Sequence, residues 1–285
     1  MIAADRQMQT DFLSGTGEMG ALIRDFDWKH TPLGPIEAWP SSLKTSVSLI
    51  LNSRHPMWIG WGSEMTFLYN DAYLHVLGAA KHGRALGRAA SEVWAEIWDV
   101  CGPLADKVFQ KGEATFVDDV RLIMDRGDFL EETFYSFSYS PIRDESGRVC
   151  GLFCPSTDVT PRVVNTRRIQ TLSQFATSGL AEKTTLRACA AAAQTLSANP
   201  DDIPFALLYL ADATGTSASL EQTVGYLPAG VAVKTIDLSR ASETGPWSVA
   251  EVYRADARRV VHVERVHGMP FAVADQPVSF TSVGL

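Results

Sequence analysis

Residues 114–158 read ATFVDDVRLIMDRGDFLEETFYSFSYSPIRDESGRVCGLFCPSTD. Short turns with glycine separate three runs that are rich in β-branched and aromatic residues, namely 114–125, 130–142 and 148–158. Connections this short join antiparallel neighbours, because parallel strands need a longer crossover. The segment therefore predicts three consecutive strands of an antiparallel sheet.

Side chains alternate between the two faces of the middle strand. Tyr135, Phe137 and Tyr139 share one face, whereas Phe134 lies on the other face with serines. Both faces contain large apolar rings, so the alternation leaves open which of them is turned toward the core.

Two shorter strands are predicted upstream, in PMWIGWG at 56–62 and in EMTFLYN at 64–70. A short helix over 71–78 follows and ends at a glycine. Two strands, a helical middle and three strands make an α+β domain. We expect a five-stranded antiparallel sheet with helices on one side.

The helical middle contains a loop and a longer helix in this interpretation. The sequence KHGRALGRAA at 81–90 predicts a glycine-containing loop, in which His82 is either solvated or in contact with an anion. Ser91 can begin a helix, and Gly102-Pro103 is expected to interrupt it.

The chain is expected to divide into four parts. Residues 1–17 are polar with several small residues and predict a flexible N-terminal arm. Residues 18–160 contain the five strands and a helical flank that precedes them. Thr160, followed by proline, predicts the start of a connecting helix over 161–181. Residues 182–285 carry further helical and strand patterns and predict a second α+β domain.

Composition restricts the function. The chain of 285 residues has 25 Lys+Arg against 33 Asp+Glu, a net charge of −8, which argues against a nucleic-acid partner. No apolar run approaches the ~18 residues of a membrane span, and the N-terminus does not resemble a signal peptide. We therefore expect a cytoplasmic protein. Its four cysteines are too few and too scattered for a disulfide framework and predict buried thiols.

Signatures of catalysis and metal binding are missing from the sequence. The six histidines form neither HxH nor HExxH, and neither a phosphate-binding GxxxxGK[ST] loop nor a GxSxG elbow occurs. We expect no metal site and can name no catalytic residue. An enzyme that uses an internal cavity is a rival interpretation without a supporting acid, base or nucleophile.

Several short motifs occur in the order typical of a PAS domain. LYNDAY at 68–73 resembles the entry to the first PAS helix, a Gly-Arg pair resembles the following turn, and DVT at 158–160 resembles the exit motif. The residues that carry this resemblance are Asn70, Ala72, Gly87, Arg88, Asp158 and Thr160. Residues 182–285, with NPDDIPFALLYLAD, resemble the first part of a GAF domain.

The resemblance implies the sensory region of a bacterial sensor histidine kinase in a two-component phosphorelay. It implies a homodimer formed through the helix after Thr160, with a kinase output domain and a response regulator reached through a further C-terminal region. The phosphoacceptor histidine and ATP lid of such kinases are not found in this sequence. Flavin is disfavoured because the NCRFLQ-type pattern is absent, and haem because residues 89–112 contain no histidine.

Aromatic residues mark the candidate ligand pocket of the PAS domain. Trp94 and Trp98 are four residues apart, which predicts one helix face. The candidate pocket residues are Trp58, Tyr69, Trp94, Trp98, Tyr135, Phe137 and Tyr139. These side chains either surround an unknown small ligand or fill the core. The filled alternative is a protein-interaction and dimerisation scaffold.

Overall fold

The computed structural model describes residues 11–13, 17–126, 130–225, 227, 232–239, 249–255, 259–263 and 278–282. The chain forms two compact units, Met1–Val163 and Val164–Leu285.

The first unit contains one antiparallel sheet of five strands. They are β1 (Met57–Trp61), β2 (Thr66–Tyr69), β3 (Thr115–Asp125), β4 (Leu130–Arg143) and β5 (Val149–Asp158). Their order across the sheet is β2-β1-β5-β4-β3. The helical middle carries the chain from β2 at one edge of the sheet to β3 at the other edge. The chain then returns through β4 to β5, which pairs with β1. The predicted α+β class and five-stranded sheet are confirmed.

In the described part of the first unit, six α-helices precede β1 or lie between β2 and β3. They are α1 (Glu18–Asp25), α2 (Ser41–Leu51), α3 (Leu74–Leu77), α4 (Ala79–Ala85), α5 (Ala90–Val93) and α6 (Trp98–Lys111). The 3-10 turns Asp71–Tyr73 and Ala95–Ile97 precede α3 and α6.

Helix α4 replaces the first part, residues 81–85, of the loop that was predicted over 81–90. Gly78 has φ +74°, which ends α3 and lets α4 begin at the next residue. Helix α4 then buries Lys81, whose long aliphatic stem packs against the core while its charge finds a partner. The prediction of a loop was wrong for residues 81–85, because tertiary burial outweighed the local glycine signal, whereas residues 86–88 do form a turn.

The helix break that was predicted at Gly102-Pro103 lies earlier in the chain. Helix α6 contains Pro103, whose ring removes only a hydrogen bond to the carbonyl of exposed Asp99 in the first turn. The chain bends instead at Trp94, with φ −117° and ψ 37°. Trp94 and Trp98 therefore do not share one helix face, contrary to the prediction.

Both faces of the β1–β2 half of the sheet are covered. Ile59 and Leu68 lie on the face opposite Trp58 and Tyr69, and both are 0% exposed. Helix α2 contacts both strands, so the N-terminal flank supplies the second cover. The expectation of helices on one side was wrong for this half, because the flank belongs to the same hydrophobic core.

Part of the predicted flexible arm, residues 1–17, is packed. Asp11–Leu13 form a 3-10 turn and Leu13 is completely buried. The ring of Phe12 lies 6.3 Å from the ring of Trp39. The prediction was wrong for these three residues, because removing two adjacent apolar side chains from water lowers the free energy of the folded chain. Residues 1–10 and 14–16 lie outside the described residues.

The second unit begins within helix α7 (Thr160–Ala181), whose first turn belongs to the first unit. Its further elements are α8 (Thr185–Ser197), β6 (Phe205–Ala211), β7 (Ser217–Gly225), β8 (Thr235–Asp237), α9 (Val249–Ala255), β9 (Arg259–Val263) and β10 (Val278–Ser282). Strands β6, β7 and β8 form one antiparallel sheet, and β9 pairs with β10 in another.

Candidate functional site: the aromatic core and the exit motif

The inward face of β4 is the one that carries Tyr135, Phe137 and Tyr139. All three side chains are buried in the core of the first unit. Phe134 is buried on the opposite face, where its backbone meets Thr160. The structure thereby answers the question that the alternation alone left open.

Three of the predicted pocket residues, Trp58, Phe137 and Tyr139, contact one another through their rings. The ring of Trp58 lies 4.9 Å from Phe67 and 5.6 Å from Tyr139, which is in turn 4.9 Å from Phe137. Tilted and edge-on arrangements of this kind are favourable for aromatic pairs. These four rings form a continuous layer between the sheet and the helices.

A second group of rings extends this layer toward α5. Tyr73 lies 6.3 Å from both Tyr69 and Trp94 and 5.9 Å from Phe67. Sequence reasoning missed Tyr73 and Phe67, although both follow the apolar pattern around LYNDAY. Trp98 is half-buried and lies beneath Gly102, where an added Cβ would come within 2.8 Å of its indole nitrogen.

The interior of this layer is uncharged. Burial raises the pKa of the Cys101 thiol to about 11 and raises the pKa of Cys154 further. Burial likewise raises the pKa of the phenols of Tyr73 and Tyr139. All four groups are neutral at physiological pH, so the core offers hydroxyl and thiol groups within aromatic walls.

Asn70 fixes the entry to the first helix. Its Oδ1 accepts hydrogen bonds from Met57 N at 3.0 Å and Tyr73 N at 3.2 Å. Its Nδ2 lies 2.7 to 3.1 Å from three backbone oxygens at the end of α2 and in the following turn. The side chain is 1% exposed and ties the flank, β1 and the 3-10 turn together. Ala72 lies in that turn and is half-buried.

Gly87 and Arg88 pair with the free edge of β2. The backbone N of Gly87 donates to Phe67 O, and Phe67 N donates to Arg88 O. Gly87 has φ +77°, and a Cβ there would lie 2.8 Å from the ring of Phe26. The Arg88 side chain is exposed and contacts only Glu92 among the described residues, so this pair acts through its backbone.

Four residues, Arg126, Tyr135, Asp158 and Thr160, form what we call the exit site. Asp158 Oδ2 accepts from the Tyr135 hydroxyl at 3.4 Å, and Arg126 Nη1 lies 3.8 Å away. Asp158 Oδ1 accepts from Thr160 N at 2.9 Å, and Thr160 Oγ1 accepts from Phe134 N at 2.8 Å. Core, sheet and the first turn of α7 therefore meet at one carboxylate.

Arg126 was not found by sequence reasoning because it lies in a turn without a motif. Its guanidinium donates to Glu131 at 2.9 Å and lies 3.5 Å from the carbonyl of His75. Its own carbonyl packs against Gly78. Arg126 thus connects the helical middle with the exit site.

Polar side chains of α4 also face the protein. His82 is half-buried rather than solvated, and the anion that it contacts is the carboxylate of Glu18. Its Nδ1 lies 3.0 Å from the Tyr69 hydroxyl, and its Nε2 lies 3.2 Å from Glu18. Lys81 is ion-paired with Glu96 and lies 4.2 Å from the centre of the Trp94 ring. These contacts hold α4 against the aromatic layer.

A groove of about 750 Å³ lies apart from the aromatic layer, between α2 and the start of β1. It is lined by Phe12, Lys44, Thr45, Ser48, Leu49, Asn52, Ser53 and Met57.

Among the residues that the structure describes, no group of three or more His, Cys, Asp or Glu is arranged to hold a metal ion. Within the same ranges, no helix has the length and apolar character needed to cross a membrane.

Comparison with solved structures gives matches of low identity. The chain is 21% identical to an RNA-binding Light-Oxygen-Voltage receptor over 47% of this chain and 38% of that one, with a TM-score of 0.34. It is 20% identical to the PAS domain of Bordetella pertussis BvgS, over 47% and 98%, with a TM-score of 0.31. It is 17% identical to a sensory box sensor histidine kinase from Vibrio cholerae, over 42% and 90%, with a TM-score of 0.29.

These matches leave the cofactor untested. This chain spans well under half of the Light-Oxygen-Voltage receptor that it matches. No curated protein matches the chain.

The family comparison agrees with the geometry of the first unit. A family model described as the PAS fold matches residues 51–164. The same segment contains the five-stranded sheet, the Asn70 entry and the exit site. Residues 51–164 therefore form a PAS domain.

Proposed function

We propose that this PAS domain is the sensory part of a two-component signalling protein and passes a change in its aromatic core to helix α7. Tyr135 carries the proposal. Its ring lies in the core while its hydroxyl donates to Asp158, the residue that binds the first turn of α7. A shift of the core rings would move this hydroxyl and change how Asp158 holds Thr160.

The substitution Tyr135→Phe tests this relay because it removes the hydroxyl and keeps the ring. We expect faster amide hydrogen exchange over residues 160–170 and unchanged tryptophan fluorescence from the core. Tyr139→Phe is the matched control, since Tyr139 is equally buried and is not hydrogen-bonded to Asp158. Equal exchange in both variants would contradict the relay.

The aromatic core has two candidate roles, a sensor that binds a small ligand and a scaffold whose core is filled. A sensor would admit a small neutral molecule, because the buried thiols and phenols within the aromatic layer are uncharged. A scaffold would respond through contacts, and the burial of the core rings by one another favours this second candidate. Native mass spectrometry with an absorption spectrum, followed by thermal shift with a neutral compound library, separates them. A bound mass or a raised melting temperature supports the sensor, whereas the absence of both supports the scaffold.

Helix α7 is the proposed dimer contact. Ile169 and Leu172 are 65% and 69% exposed on it, and an apolar stripe of this kind is typical of a helix that pairs with a copy of itself. Leu172→Glu should convert a dimer into a monomer in light scattering, whereas Gln174→Glu on the same helix should not. A wild-type monomer at high concentration would contradict this contact.

The downstream partners follow from the resemblance to histidine kinases. We propose a kinase output domain that acts on a response regulator, and a GAF domain whose first part is residues 182–285. Helix α8 followed by the β6–β7–β8 sheet supports this assignment for the second unit. Tyr135→Phe should change the autophosphorylation rate of the complete signalling protein, and an unchanged rate would remove the kinase from the proposal.

A further inference from the structure

Helix α7 is held on the second unit mainly by polar contacts. Among its described side chains, residues 160–179, none is fully buried. Val164, Arg167, Thr171, Phe175 and Ser178 are half-buried and recur every three or four residues, which marks the face turned toward the unit. Apolar packing along this face is therefore too slight to fix the rotation of the helix by itself.

Four residues form what we call the helix clamp: Arg167 and Thr171 on this face, and Asn199 and Asp202, which bind them. Arg167 donates to Asp202 through two bonds, Nε to Oδ2 at 2.7 Å and Nη2 to Oδ1 at 3.0 Å. Asn199 Nδ2 donates to Thr171 Oγ1 and to Asp202 Oδ2, both at 3.0 Å. A guanidinium that meets a carboxylate with two parallel bonds accepts only one orientation.

The helix clamp is shielded from solvent. The Asp202 side chain is 9% exposed and Arg167 is 21% exposed. Burial alone raises the pKa of Asp202, but hydrogen bonds from Arg167 and Asn199 outweigh it and the pKa lies below its ordinary value. The carboxylate is therefore ionised at neutral pH and keeps its affinity for the guanidinium.

We propose that the helix clamp is the receiving end of the PAS relay: Asp202 fixes the rotation of α7 on the second unit, so that movement begun at the exit site is passed to the Asn199–Asp202 turn. This inference rests on the proposed function for its signal, whereas the fixing of the helix stands by itself. The turn leads directly into β6, so a displaced Asp202 would act on the edge of the second sheet.

Adjacent residues provide matched controls. Arg168 also contacts Asp202, through Nε at 3.3 Å, but its side chain is 61% exposed. Asp201 contacts Arg167 at 3.4 Å and is 48% exposed. Arg167→Lys and Asp202→Asn remove the two-bond contact with little change in size, and Arg168→Lys and Asp201→Asn make the same chemical changes next to it.

Hydrogen exchange of the full chain, followed by mass spectrometry, measures the fixing of the helix. We expect Asp202→Asn and Arg167→Lys to speed exchange over residues 164–179 roughly tenfold or more, because a buried charged hydrogen bond is lost. Both controls should exchange like wild type. Circular dichroism confirms folding, and Arg167→Lys decides the result if Asp202→Asn does not fold. Wild-type exchange in Arg167→Lys would overturn the helix clamp.

A second arm tests the transfer. Asp158→Asn should alter exchange over residues 199–203 in the wild-type background and should not do so in the Arg167→Lys background. Persistence of the effect without the clamp would overturn the proposed route. If Asp158→Asn changes nothing in either background, the relay and its proposed receiver both fail, while the first arm still decides whether Asp202 fixes the helix.

Discussion

Thr160 Oγ1 accepts a hydrogen bond from the backbone N of Phe134 at 2.8 Å. Phe134 lies in β4, near the centre of the sheet, and its carbonyl in turn accepts from Val159 N at 2.9 Å. The first turn of α7 is thus joined to a strand that also contacts the core. Movement of this turn away from the sheet would therefore break hydrogen bonds to β4.

Thr160→Val should destabilise the PAS domain because it keeps the shape of the side chain and removes the acceptor for Phe134 N. We expect a loss of about 1 to 2 kcal/mol in the free energy of unfolding. Urea unfolding followed by tryptophan fluorescence is suitable, since six of the seven tryptophans precede residue 100. Thr157→Val is the control and should cost little, because Thr157 is an exposed position of β5 whose Oγ1 lies 3.4 Å from His55 Nε2. Equal stability of the two variants would show that the bond contributes nothing.

Asn70→Ala should be among the most damaging single changes to the domain. It leaves Met57 N without its side-chain acceptor and removes the donor to the backbone oxygens of Ser53 and His55, in a site that is 1% exposed. We expect a loss of about 3 kcal/mol or more, which is the cost of two or more buried polar groups left unpaired. Asn52→Ala removes a single exposed bond to Ser48 O and should cost less than about 1 kcal/mol. Comparable losses at both sites would contradict the role assigned to Asn70.

Two glycines five residues apart should respond in opposite directions to alanine. At Gly78 the φ is +74° and a Cβ would lie 2.1 Å from the carbonyl oxygen of Arg126, so Gly78→Ala should lower the melting temperature strongly. At Gly83, inside α4, a Cβ meets nothing within 4 Å. Gly83→Ala should therefore stabilise the domain by about 0.5 to 1 kcal/mol. If Gly83→Ala destabilises, the assignment of α4 as a helix is wrong.

Lys81 and Glu96 should be energetically coupled. Lys81→Met leaves the Glu96 carboxylate without its cation in a partly buried place, and we expect a loss of about 2 to 4 kcal/mol. Combining it with Glu96→Gln should cost less than the sum of the two single changes, because the second substitution removes the unpaired charge. Chemical denaturation of the four proteins in this cycle gives the coupling. Additive losses would mean that the pair contributes no mutual stabilisation.

Burial of Cys101 and Cys154 predicts a reactivity pattern and a pH effect. A thiol reagent at pH 8 should modify the half-buried Cys150 and Cys189 first, and the other two only on unfolding.

The native pKa of Cys101 is about 11, above its ordinary value of 9.0. The native state then holds a proton that the unfolded chain releases, so stability is retained below pH 9 and falls as the pH rises toward 11. Replacing Cys101 with alanine should reduce that alkaline loss, and an unchanged slope would contradict the assignment.

The sequence by itself determined the strands and their antiparallel pairing. Alternating aromatic and β-branched residues with short turns between them leave few other arrangements, and the cap at Asn70 is readable because its Oδ1 accepts from Tyr73 N, three residues along the chain. The exit motif at Asp158 was readable for the same reason.

Only the tertiary structure decided which face of β4 is inward, that α4 is a helix, and that the flank covers the second face of the sheet. It also brought Arg126 to Asp158 and Lys81 to Glu96. Those pairs join residues far apart in the chain, and their formation depends on burial that no local pattern encodes. Propensity acts over a few residues, whereas the free energy that settles these choices comes from surfaces that meet only when the whole domain has folded.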